Sequence, residues 1–154
     1  MDQADRGGAM TPLGSIWVEV AEGAVVRLGW GAVPDRAAVG LLRDALDELG
    51  AYFAGRLQVF SVPVRPDASG LTARALAAMQ AIPFGQTRTY GDLAHELSGP
   101  AQAIGQACGA NPIPILIPCH RVLGASGLGG YSGAGGVETK VALLKHEGAA
   151  SLLI

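Results

Sequence analysis

Residues 111 to 122 read NPIPILIPCHRV. Pro112 ends any helix before it, because the residue preceding a proline avoids the α region. Two more prolines punctuate an aliphatic run that stops at a cysteine and a histidine, Cys119 and His120. The other cysteine is Cys108, so there is no disulfide framework to read. This usage suits a reducing cytoplasm, where a lone cysteine is either packing or chemistry.

The 154 residues suggest one domain or two small ones. Hydrophobic residues at 49% and charged residues at 16% allow a sizeable core and argue against disorder. The polar, acidic start MDQADRGGAM is unlike a signal peptide, and no apolar run approaches the ~20 residues needed to span a bilayer. A soluble cytoplasmic protein is expected.

Within residues 12 to 31, SIWVEVA and AVVRLGW flank AEG and predict a β-hairpin. Val39, Leu42, Leu46, Leu49 and Phe53 step by three and four, which predicts a helix over 35–54 with one apolar stripe. LQVFSVPV predicts a strand, and RPDASG reads as a linker. Residues 1–67 are therefore expected to form a small α/β domain.

Residues 68–154 differ. LTARALAAMQAI is Ala-rich and helical, and Thr87 or Thr89 can cap a helix through TYGDLAHEL. Gly99 and Pro100 end it, and AQAIGQACGA is a second short helix of small residues. Two short helices around a tight turn suggest a helix-turn-helix whose second member can approach a partner closely. A loop, GASGLGGYSGAGG, and an end helix, VETKVALLKHEG, follow, with Gly148 in the position of a C-terminal cap.

A net charge of −2 argues weakly against nucleic-acid binding, but the charge is uneven. Nine acids face six arginines before residue 69, and four acids face five bases after it. If the second half binds DNA, few phosphate contacts and a shallow salt slope are expected. The glycine loop holds neither a G-x-G-x-x-G nor a GK[ST] fingerprint. It is a plain surface loop, or one that closes over a planar ligand with Tyr131 in its middle. His95, His120 and His146 form no metal-ligand spacing, so no metal and no cofactor are expected. Cys119 beside His120 is compatible with plain packing. It is also compatible with a thiolate nucleophile whose proton the imidazole takes, with Glu147 a candidate to hold the imidazole.

NPIPILIPCHRV, followed by GLGGYSGAGGVETKVALLKHEG, closely resembles the active-site block of the O6-alkylguanine-DNA alkyltransferases. FGQTRTYGDLA resembles the segment opening that family's helix-turn-helix, and TPLGSIWV and ELGAYFAGRL resemble its small N-terminal domain. The resemblance implies an α/β protein. A ribonuclease H-like domain over 1–67 would precede a winged helix-turn-helix domain over 68–154 that binds DNA and carries the active site.

It also implies one-turnover DNA repair, in which an alkyl group moves irreversibly from O6 of guanine, or O4 of thymine, to Cys119. His120 would deprotonate the thiol through a water, Glu147 would orient His120, and Asn111 would brace the turn. Tyr90 would protonate the departing base and crowd the 3′ phosphate. Val122, Tyr131 and Ser132 would hold the guanine edge, with Cys108 lining the pocket. Ala101, Gln102, Ala103 and Gly105 would enter the minor groove of double-stranded DNA, and Arg121 would add a DNA contact. A monomer is expected.

One departure stands out. The family usually inserts an arginine where the flipped base was, and Gln102 occupies that position. This keeps two other readings open: a protein that senses alkylated guanine with weak or no transfer, and a winged-helix regulator with a structural cysteine.

Overall fold

The structure is a computed structural model that describes residues 5–34, 37–125, 127–131, 133 and 135–149. The chain divides into two compact units, Met1–Asp67 and Ala68–Ile154.

The first unit is an antiparallel meander, β1 (Asp5–Thr11), β2 (Gly14–Ala21) and β3 (Ala24–Trp30), with one helix, α1 (Gly40–Phe53). The β2–β3 turn needs two residues with positive φ to match the twist of the strands. Glu22 (φ 50) and Gly23 (φ 80) supply them. Along β2, Ile16, Val18 and Val20 are buried at every second position, the signature of a sheet with one covered face. The helix buries Leu42, Ala45, Leu49 and Tyr52. That stripe is turned from the one predicted: Val39 lies outside the helix and is 76% exposed. Residues 35 and 36 of the expected helix lie outside the described residues.

Two elements differ from the sequence expectation. Strand β1 pairs with β2 along its length, from Asp5↔Val20 to Thr11↔Gly14, although its Gly7-Gly8 pair is a poor strand former. The helix explains one of those glycines: a Cβ on Gly7 would sit 3.1 Å from Leu42 and 3.2 Å from Leu46. LQVFSVPV forms no strand beyond a single bridge, Val64 to Val25, flanked by two backbone hydrogen bonds of 2.8 Å. Pro63 has no amide proton to extend it.

The second unit holds α2 (Gly70–Gln80), α3 (Tyr90–Leu97), α4 (Ala101–Gly109) and α5 (Val137–His146). A two-residue parallel pair, β4 (Arg88–Thr89) and β5 (Val122–Leu123), ties the start of α3 to the chain just after Cys119. Thr89 is the cap of α3. Its hydroxyl accepts from the Asp92 amide, and the Asp92 carboxylate accepts from the Thr89 amide, both at 3.0 Å. Ser98, left-handed at φ 54, ends the helix, and Pro100 starts α4. Among the described residues no helix is long and apolar enough to cross a membrane.

Candidate active site

Residues 113 to 120 are all buried, and their backbone is bent twice. The Leu116 amide donates to Pro114 O at 2.9 Å around Ile115, whose φ is 73°. That is a γ-turn of the rare, strained kind, occupied by a β-branched residue. The Cys119 amide donates to Ile117 O at 2.8 Å around Pro118 (φ −81, ψ 67), an inverse γ-turn that suits proline. Asn111 spans both bends. Its amide donates to Ile117 O (2.8 Å), and its carbonyl accepts from the Ile113 amide (2.9 Å). The segment thus delivers Cys119 at the start of a short 3-10 turn, Cys119–Arg121.

On one side of that turn lies a buried ionic cluster. Helix α5 ends in a Schellman motif. The amides of Gly148 (φ 68) and Ala149 donate to Lys145 O and Leu144 O, both at 3.0 Å. This fixes Glu147 at the helix terminus, 5% exposed. Its carboxylate accepts from His120 Nε2 at 2.8 Å and from Arg121 Nε and Nη2 at 2.8 and 2.9 Å. Arg121 also donates to Ile82 O at 2.5 Å. Because Glu147 is an acceptor, Nε2 carries the imidazole proton and Nδ1 is left with its lone pair. Among the described residues Nδ1 has no hydrogen-bond partner. Burial lowers the His120 pKa from its ordinary value, while Glu147 pulls it up. The imidazole is therefore held neutral, in the tautomer of a base.

On the other side is a cavity of about 420 Å³ lined by Tyr90, Gly105, Cys108, Gly109, Cys119, Gly130 and Tyr131. Burial raises the pKa of Cys119, opposed by the Asn111 amide and the Lys140 charge. The resting group is a thiol. Cys108 is pushed up to about 12, chiefly by burial, and stays a thiol throughout. Burial also raises Tyr90, whose hydroxyl meets the backbone at Gly130 and stays protonated. A buried thiol, a neutral base on one flank, and a phenol across a cavity can together carry out nucleophilic displacement on a bound molecule.

The sequence profile described as "6-O-methylguanine DNA methyltransferase, DNA binding domain" matches residues 71–149. The methylated-DNA–protein-cysteine methyltransferase of Mycolicibacterium paratuberculosis is 46% identical over 124 residues, 79% of this chain and 71% of that protein.

The chain belongs to the methylated-DNA–protein-cysteine methyltransferases.

A second methyltransferase of this family, from Methanosarcina acetivorans, is 45% identical over 109 residues, 69% of each protein. The crystal structure of Mycobacterium tuberculosis O6-methylguanine methyltransferase matches at TM-score 0.83 and 33% identity, over 99% of this chain and 97% of that one. A M. tuberculosis OGT structure in complex with DNA matches at TM-score 0.82 and 38% identity, over 92% and 91%.

The structure brings together Cys119, His120, Glu147, Asn111 and Tyr90, with Cys108 and Tyr131 on the cavity wall. Val122 is buried in β5, and Ser132 lies outside the described residues. On α4, Ala101 and Gln102 are exposed, Ala103 and Gly105 half-buried, and Gly105 also lines the cavity. Arg121 corrects the sequence reading. It was expected at the DNA, but it is 6% exposed and committed to Glu147 and Ile82. A guanidinium in a fork is the group that satisfies two carboxylate oxygens and a carbonyl together. Sequence reasoning also missed Lys140, fully buried on α5. Lys140, Leu143, Leu144 and Glu147 fall at i, i+3, i+4 and i+7, so charges at both ends of a buried stripe were the available signal.

Proposed function

We propose that this protein repairs DNA by direct reversal, moving an alkyl group from O6 of a guanine in duplex DNA to Cys119 in a single turnover. The observation that carries this reading is His120, with Nε2 bound to Glu147 and Nδ1 unpartnered among the described residues, beside a thiol that opens into a cavity.

A base within the stack is out of reach, so the lesion is extruded into the cavity at a cost of a few kcal/mol. The Cys119 proton passes through a water to His120 Nδ1, and Glu147 stabilises the resulting imidazolium. The sulfur attacks the alkyl carbon in line. An S–C bond forms as the C–O6 bond breaks. Tyr90 donates its proton to the departing guanine and recovers one from His120. Thiol and O6-alkylguanine become thioether and guanine, with no cofactor. No step regenerates the thiol, so each molecule acts once.

Helix α4 enters the minor groove with its exposed face, where Ala101, Gly105 and Gly109 permit a close approach and Gln102 fills the space of the extruded base. The protein acts as a monomer in the cytoplasm.

The test is the intact mass after incubation with a duplex carrying one O6-methylguanine. One methyl group mapped to Cys119, absent from Cys119→Ser, is expected. Tight binding to the lesion without mass gain would instead establish a sensor.

A further inference from the structure

One wall of the cavity is backed by a side chain that can re-pack. About 420 Å³ is in the range of pockets that hold drug-sized ligands, roughly 300–1,000 Å³, and a methylated purine is small for that class. Gly105, Gly109 and Gly130 bring only backbone to the lining. Tyr90 is backed by the loop: a Cβ on Gly129 would stand 2.9 Å from its ring and its hydroxyl. Of the two lining side chains that are not aromatic, Cys119 is the nucleophile and Cys108 is wall.

Behind Cys108 lies Met79, in the last turn of α2, which packs against α4. Met79 is 0% exposed, and the Cys108 thiol reaches its Sδ at 3.8 Å. A thiol is a weak donor and a thioether a weak acceptor, so little is lost when the two part. Methionine is unbranched and has three rotatable bonds, so it re-packs where a β-branched side chain holds its shape. Cys108, pushed up to about 12 chiefly by burial, is a neutral thiol and offers an alkyl group an apolar surface. A hydrophobic pocket of fixed shape discriminates roughly 10–200-fold for each methylene. A wall of cysteine on methionine relaxes that discrimination.

We propose that Met79 sets how large an O6-alkyl group this site accepts: Cys108 gives way into the space that the Met79 side chain vacates, so a guanine carrying a group as large as benzyl is a substrate alongside O6-methylguanine. The inference rests on the transfer reaction proposed above. The bond changes are the same. The Cys119 sulfur bonds the first carbon of the group as the bond from that carbon to O6 breaks, and the thiol proton ends on the guanine. Met79 does not line the cavity and acts through Cys108.

The experiment is single-turnover transfer at saturating duplex, run with O6-methylguanine and with O6-benzylguanine in the same DNA sequence, for the wild type, Met79→Ile and Met79→Ala. Isoleucine keeps the bulk but is stiff, and the benzyl-to-methyl rate ratio is expected to fall at least tenfold. Alanine opens space behind the wall, and the ratio is expected to rise. Equal slowing of both substrates shows a plain core residue and overturns the proposal, as do unchanged rates. A wild type that takes up methyl but not benzyl overturns it too and leaves the repair reading intact. A wild type that takes up neither group removes both.

If neither variant folds, the unsubstituted protein decides. The chain has three methionines, and Met79 alone belongs to the second unit. With 13C-methyl methionine, the Met79 resonance should move when Cys119 is benzylated and stay near its resting position when Cys119 is methylated. A Met79 resonance that responds alike to both groups overturns the proposal.

Discussion

Both units of this chain carry surface ion pairs, Arg88 with Glu96 in the second among them, but among the described residues the second unit alone also buries charge. In the first, ion pairs lie at the surface. Arg6 meets Glu19 at 2.6 Å, and Arg43 meets Asp47 at 3.3 Å with both side chains 65% exposed. In the second, His120, Arg121, Glu147 and Lys140 are all buried. Exposed pairs contribute little to stability, and a buried pair is often no better than the apolar residues it displaces. A fold that needed only a core would not place four ionisable groups in it. The difference marks the second unit as the one whose interior has a task besides cohesion.

The comparison is open to direct attack. The heaviest blow is Glu147→Ala, which leaves the Arg121 guanidinium buried without its carboxylate and His120 without its acceptor. A loss of about 3–5 kcal/mol is expected, together with loss of transfer. Denaturant titration followed by Cys119 thiol exposure measures it. A cost under about 1 kcal/mol would mean that the cluster is no more consequential than a surface pair.

Acid should act next. Burial holds His120 below its ordinary 6.5. Between the folded value and 6.5 the unfolded chain binds a proton that the folded chain does not. Stability is therefore full above 6.5 and falls as pH drops below it. One proton gives a slope of up to about 1.4 kcal/mol per pH unit. Denaturation midpoints across pH 5 to 8 give the slope, and a flat profile would contradict a neutral buried imidazole.

The mildest change is Asp47→Asn, which removes an exposed i,i+4 pair from α1. It should shift stability by less than about 0.5 kcal/mol. Both tryptophans, Trp17 and Trp30, belong to the first unit, so their fluorescence reports this variant selectively.

How much of this was legible in the sequence depended on distance along the chain. The Thr89 cap and its Asp92 partner are three residues apart, and the α3–turn–α4 arrangement was readable from them and from Gly99-Pro100. Cys119 and His120 are neighbours, so their partnership was visible as a possibility. The fate of Arg121 was not, because its acceptor at Ile82 is 39 residues away. Nor was that of Lys140, whose nearest acceptor along the chain is ten residues away and whose others lie further still. A single sequence shows a charge but not the carbonyls that converge on it. Strand β1 escaped for a different reason: Gly7-Gly8 has little strand preference of its own, and pairing with β2 decides the matter.

The left-handed bend at Ile115 bears on the order in which the molecule assembles. A β-branched residue avoids φ near +73° unless its surroundings impose it. The Asn111 side chain braces the bend locally, while the turn that follows it is held by the tie from His120 to Glu147, 27 residues on. The brace alone does not complete the site, because the partner of His120 sits at the end of α5. A chain still being made carries an ordinary, accessible thiol at Cys119. Its seclusion beside an oriented base waits on the docking of α5, and is given up when that docking loosens.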